Sequence, residues 1–143
     1  MDQEILNRNK SVVIRYHEAL NRGDISTLDQ FFAPSYKRYF SPATPPLAAD
    51  GQKKGLAALL ASFPDIRFTF EDVVAEDDLV AIRVITRGTH KGTFQGIPPT
   101  GKPVTVSGIE LFRIENGRIV EHWGTLNAID ALRQMGAVIS APK

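Results

Sequence analysis

A chain of 143 residues suffices for one domain and is short for two. Hydrophobic residues make up 43% of it, enough for a core, and 17 basic against 16 acidic residues leave a net charge of +1, so no single-sign field points to nucleic acid. There is no cysteine, which excludes disulfides, thiolate metal sites and a cysteine nucleophile. The start MDQEILNRNKSVV is polar and acidic, unlike a signal peptide, and no apolar run is long enough to span a bilayer. The expectation is a single cytoplasmic domain over residues 1–143, with no membrane contact.

Residues 3–21 place Val12, Val13, Tyr16, Ala19 and Leu20 on one helical face, and Gly23 is a plausible stop. DISTLDQFFAP predicts a second, short helix from an Asp24 cap to Pro34. YKRYFSPATPPLAAD reads as irregular, with Pro42, Pro45 and Pro46 close together. GQKKGLAALLASFPD predicts a third helix ending before Pro64. The period then changes to two: Ile66, Phe68 and Phe70 alternate with Arg67, Thr69 and Glu71. DLVAIRVITRGTH follows an acidic turn, and Asn116-Gly117 marks a hairpin inside GKPVTVSGIELFRIENGRIVEHWGTL. NAIDALRQMG closes as a helix. Three helices, four long strands and a short helix imply α+β with an antiparallel sheet.

In the last hairpin Val104, Val106, Glu110 and Phe112 share one face, and Thr105, Ile109, Leu111 and Arg113 share the other. Both faces carry apolar side chains, and one set of helices covers only one of them. A homodimer through the other face is the expected solution.

No GxxxxGK[ST], HExxH or GxSxG occurs, and His17, His90 and His122 have no ligand-like spacing, so neither metal nor cofactor is expected. Glu110 lies mid-strand between Ile109 and Leu111, where burial would raise its pKa by desolvation, as acid–base work often requires; the bland alternative is a salt bridge with Arg83 or Arg87. Trp123, Thr125 and Asn127 alternate along the last strand and would share a face. Asn127 cannot take up a proton, and its local role is to cap the last helix. Tyr39 could stand at a cavity mouth, and His90 has a suitable pKa for catalysis but the position of a structural residue.

The runs RGTHKGTFQGIPPTGK, GIELFRIENGRIVEHW and the terminal QMG, with the opening NKSVVIRYHEALNRGDISTLDQFFAPSY, resemble the SnoaL-like polyketide cyclase (ester cyclase) family over nearly the whole chain. The resemblance implies a cone-shaped α+β barrel of the nuclear transport factor 2-like superfamily. In that fold a curved antiparallel sheet packs on N-terminal helices around an apolar pocket and forms dimers through its outer face. It implies cofactor-free closure of a polyketide ring by aldol condensation, with an aspartate at the end of the last strand as acid/base. That position is Asn127 here, and a histidine common after the second helix is absent, with Tyr39 nearby. The hydrolytic residues of limonene epoxide hydrolases, which share the fold, are also missing: Ile85 and Thr89 follow Arg83 and Arg87, and Thr125 follows Trp123.

Two functions are therefore carried forward. The first is an aldol-type cyclase or isomerase acting on a hydrophobic carbonyl compound. It would use Glu110, Asn127 and His90 in catalysis and Trp123, Phe112, Thr125 and Tyr39 around the substrate. The second is a non-catalytic protein that binds a small molecule in the same pocket.

Overall fold

The computed structural model describes residues 2–137, the Thr125 side chain excepted. Helix α1 (Gln3–Asn21) starts where the Asp2 side chain accepts the Glu4 N–H at 2.8 Å, and it buries Val12, Val13, Tyr16, His17, Ala19 and Leu20. The segment read as a second helix is only a 3₁₀ helix, Ile25–Gln30. The chain then enters a strand the sequence reading missed, β1 (Phe32–Tyr39), which contains Pro34. Pro34 is tolerated because β1 is an edge strand whose ladder is interrupted between Phe32 and Lys37. Helix α2 (Ala49–Ser62) ends before Pro64 as expected.

Strands β2 (Arg67–Glu76), β3 (Leu79–Thr89), β4 (Pro103–Glu115) and β5 (Arg118–Leu126) form an antiparallel meander, and α3 (Ala128–Gln134) closes the fold. The sheet order is β1-β5-β4-β3-β2, with β1 parallel to β5. The α+β class holds, with five strands rather than four among the described residues and one parallel edge.

The turn between β4 and β5 has positive φ at Asn116 (52°) and Gly117 (76°), as a two-residue hairpin demands. Pairing starts at Glu115 with Arg118 and Ile114 with Ile119, then shifts by one residue, so that Arg113 faces Glu121. Val120 is the extra residue, and this bulge reverses the facing of everything beyond it. A similar shift between Phe70 and Asp72 leaves Phe68, Phe70, Val73 and Ala75 packed against one core.

The inner face of the sheet packs Val80, Ile82, Val84, Phe112, Ile114 and Ile119 against Val13, Tyr16 and Leu20 of α1. A second cluster joins Phe63, Ile66, Val104 and Val106 to Ala131 and Met135. Two side-chain amides fasten helices to strands by imitating a backbone pair. Asn21 donates to the Phe68 carbonyl (2.9 Å) and accepts its N–H (2.7 Å). Gln134 does the same for Thr105, at 2.7 and 2.8 Å.

Candidate active site

Between the inner sheet face, α1 and α2 lies a cavity of about 610 Å³, of ligand size. Leu20, Leu56, Leu59, Phe68, Val84 and Leu126 make its walls mostly apolar. Exposed lining residues, among them Phe40, Thr93 and Gln95, mark its mouth. Polar groups gather at one place, where Tyr16, His17, Arg38, Gln52, Glu110 and His122 meet.

Glu110 is the centre of that group. Inward alternation on β4 carries Gly108, Glu110 and Phe112, and across the ladder they face Leu126, Gly124 and His122. His122 Nε2 lies 2.8 Å from Glu110 Oε1, and its Nδ1 lies 3.2 Å from the Tyr36 hydroxyl. With Nε2–H donating to the carboxylate, Nδ1 accepts the Tyr36 O–H, and a neutral His122 is satisfied at both nitrogens. On the other side, His17 Nε2 stands 3.5 Å from Glu110 Oε2, while its Nδ1 lies 2.9 Å from the Val13 carbonyl. Arg38 Nη2 is 3.8 Å from Glu110 Oε1.

The rise expected for Glu110 from burial does not occur: desolvation opposes its charge, but His122 and His17 outweigh it and hold the carboxyl well below the ordinary carboxylate range. Burial pushes His122 down to about 4 against the pull of Glu110, with Arg38 and His17 adding to the depression. At neutral pH the stable assignment is thus an ionised Glu110 receiving a hydrogen bond from a neutral His122. Burial raises both Tyr16 and Tyr36 and keeps them protonated. The Tyr16 hydroxyl accepts from Gln52 Nε2 at 3.3 Å, which leaves its own proton for an acceptor in the cavity. Among the described residues no group of three or more His, Cys, Asp or Glu is arranged to hold a metal ion.

The structure redistributes the residues singled out from sequence. Glu110 does line the cavity, and its partners are His122, His17 and Arg38. Arg83 pairs instead with Asp72, at 2.8 Å, and Arg87 donates to Thr69. Phe112 shares the inner face but is fully buried, stacked on His122 at 4.0 Å between ring centroids, and supports the site from behind. Trp123 and Tyr39 lie on the opposite face, stacked on each other at 5.6 Å, and do not line the cavity. The Val120 bulge is the reason: a register counted straight from the turn pairs Glu110 with Trp123, whereas the shifted one pairs Glu110 with Gly124. Asn127 is exposed and caps α3, accepting the Asp130 N–H at 3.1 Å; it is not part of the cavity wall. His90 is fully buried beside Phe63 and Thr100, and does not line the cavity. The backbone of Thr125 pairs with Ile109, and its side chain lies outside the described residues. The residues sequence reasoning missed are His17, Arg38, Tyr16 and His122. A bulge-aware register would have exposed His122, and the spacing from Val13 puts His17 on the buried face of α1.

An α+β cone with a ligand-sized apolar cavity and one buried carboxylate–imidazole cluster is the architecture of a protein that takes a small molecule. Residues 10–135 match the SnoaL-like polyketide cyclase family, and the chain belongs to that family, a family of enzymes. It is 26% identical over 126 residues to nogalonic acid methyl ester cyclase of Streptomyces nogalater, covering 82% of this chain and 90% of that one. It is 24% identical over 140 residues to aklanonic acid methyl ester cyclase of Streptomyces peucetius, covering 92% and 93%. The crystal structure of wild-type IdmH from Streptomyces antibioticus superposes with a TM-score of 0.80 at 34% identity, covering 90% of this chain and 99% of that one. The fold is the SnoaL form of the nuclear transport factor 2-like barrel.

Proposed function

We propose that the chain catalyses an aldol-type cyclisation or isomerisation of a hydrophobic carbonyl compound, with Glu110 as the acid/base. The observation that carries this reading is the ionised, cavity-lining Glu110 held between two imidazoles at 2.8 and 3.5 Å. Glu110 removes a proton next to the substrate carbonyl, and the free Tyr16 O–H donates to the enolate oxygen that forms. The enolate carbon then attacks a second carbonyl to close a ring, its C=O π pair becoming an alkoxide that takes the proton held by Glu110; in an isomerisation the Glu110 carboxylic acid returns that proton to another carbon. His122 orients the carboxylate, and Tyr36 fixes the His122 tautomer. The relatives' names support a polyketide as substrate; nogalonic and aklanonic acid methyl esters are named for those proteins only.

Support for a homodimer lies on the outer sheet face. Tyr39, Trp123, Leu111, Ala81 and Val74 sit side by side in register across all five strands. Val74 is 61% exposed and Ile109 69%. A second copy of the chain would cover this band. No described helix is long and apolar enough to cross a membrane, and the proposed setting is the cytoplasm.

The test is α-proton exchange. In D2O the wild type should speed deuterium uptake at the α-carbon of 1-tetralone, a slow-exchanging hydrophobic ketone. Glu110→Gln should lose about 100-fold or more of that rate. Equal rates in the two proteins, or none in the wild type, would favour the binding-only reading, for which the absence of a carboxylate at Asn127 is the motivating observation.

A further inference from the structure

We propose that the ligand of this cavity carries a free carboxylate, and that Arg38 is its anchor. The proposal rests on the functional reading above and adds the charge of the substrate to it.

Arg38 is 5% exposed, yet its guanidinium is poorly matched by the protein. Nη1 donates to the Tyr39 carbonyl at 2.8 Å. Nε has no acceptor. Nη2 stands 3.8 Å from Glu110 Oε1, outside hydrogen-bond reach. Its Cζ sits over the Phe40 ring, 4.1 Å from the centroid, at the cavity wall. A buried guanidinium normally spends its N–H groups on a carboxylate or carbonyls, because an unpaired buried charge is costly. Here most of that capacity is unspent.

The neighbouring Glu110 carboxylate does not satisfy those N–H groups. It is engaged by His122 Nε2 at 2.8 Å and faces His17 Nε2 at 3.5 Å, and at 3.8 Å it accepts no hydrogen bond from Arg38. Arg38 keeps a distant ion-pair partner and unspent donors. Tyr16 and Tyr36 stay neutral, as does His122. The complement of such a wall is an anion with two coplanar oxygens.

This placement also suits the chemistry. A carboxylate on Arg38 puts the substrate's α-carbon one bond away from the anchored carbon, beside Glu110. An acid bearing a ketone at the β-position would present an acidic α-proton there.

The test compares anthraquinone-2-carboxylate with its methyl ester, a pair alike in shape and different in charge. Binding is followed through the backbone amides of Gln52 and Gly108, which line the cavity. The acid should bind about tenfold or more tightly than the ester at neutral pH. Arg38→Met should remove the difference, and Arg38→Lys, which keeps the charge without the planar fork, should retain part of it. An ester that binds as well as the acid, an acid that fails to bind at about 1 mM, or a preference that survives Arg38→Met would overturn the anchor. None of these results bears on the deuterium-exchange comparison of wild type with Glu110→Gln, so the two readings fail separately.

Discussion

Gly124 stands directly across the β4–β5 ladder from Glu110, and a Cβ added to it would lie 2.9 Å from the Glu110 Cγ. The same carbon would meet the Ile109 carbonyl oxygen at 2.6 Å, and φ at Gly124 is +129°. Gly124→Ala is therefore expected to destabilise the fold by about 1–3 kcal/mol through backbone strain alone, measured by urea denaturation. Any protein that still folds should show the α-exchange rate reduced along with it, because Glu110 is pushed from its imidazoles. Unchanged stability would show that the sheet can open at this point.

Stability should fall in mild acid, and the direction follows from His122. Its folded pKa is about 4, below the ordinary histidine value, so between about 6.5 and 4 the unfolded chain binds a proton that the folded one refuses. Stability is complete above about 6.5 and drops by up to about 1.4 kcal/mol per pH unit as pH falls through that window. Glu110 acts in the same sense at lower pH: its depressed carboxyl adds stability above the unfolded carboxylate value that is lost as pH falls towards the folded one. Denaturation midpoints from pH 7 to 4 check this. In His122→Gln the slope between 6.5 and 4 should flatten; an unchanged slope assigns it to another group.

Asn127 belongs to helix geometry. Asn127→Ala should cost about 1 kcal/mol through loss of the cap to Asp130 and leave exchange at 1-tetralone untouched. Asn127→Asp should keep the cap and the activity of the parent. A large gain of activity in Asn127→Asp would place the acid/base at the end of β5 after all and displace Glu110 from that role.

On the outer face, Trp123 is held by Tyr39 and by the Arg113 guanidinium, 5.9 Å from its ring. Trp123→Lys should convert a dimer into monomers in sedimentation velocity while the cavity keeps its ligand affinity. A protein that is monomeric before the change, or dimeric after it, would remove the sheet face as the interface.

Much of the fold was legible because periodicity is a local signal. The helical spacing of Val12, Val13, Tyr16 and Leu20, the alternation of Phe68 and Phe70, and the Asn116-Gly117 turn each state their element within a few residues. β1 was hidden because Pro34 and a broken ladder make an edge strand look like a loop. The site was legible only at Glu110, whose polar position between Ile109 and Leu111 stands out. Its surroundings depended on one inserted residue: Val120 shifts the register and exchanges Trp123 for His122 on the inner face. A bulge leaves little trace in composition. Arg38 was illegible for another reason, and the spacing that buries His17 tells only half of its role, since nothing local to either announces that α1 and β1 converge on β4.

The parallel pairing of β1 with β5 has a consequence for synthesis. Arg38 and His122 come together only when Tyr39 meets Trp123, across most of the chain's length. β4 leaves the ribosome before β5, so the growing chain carries Glu110 with His17 and Arg38 already made and His122, its nearest partner at 2.8 Å, still to come. The last strand thus completes both the sheet and the carboxylate–imidazole cluster, and a product ending before it leaves Glu110 without its hydrogen bond from His122.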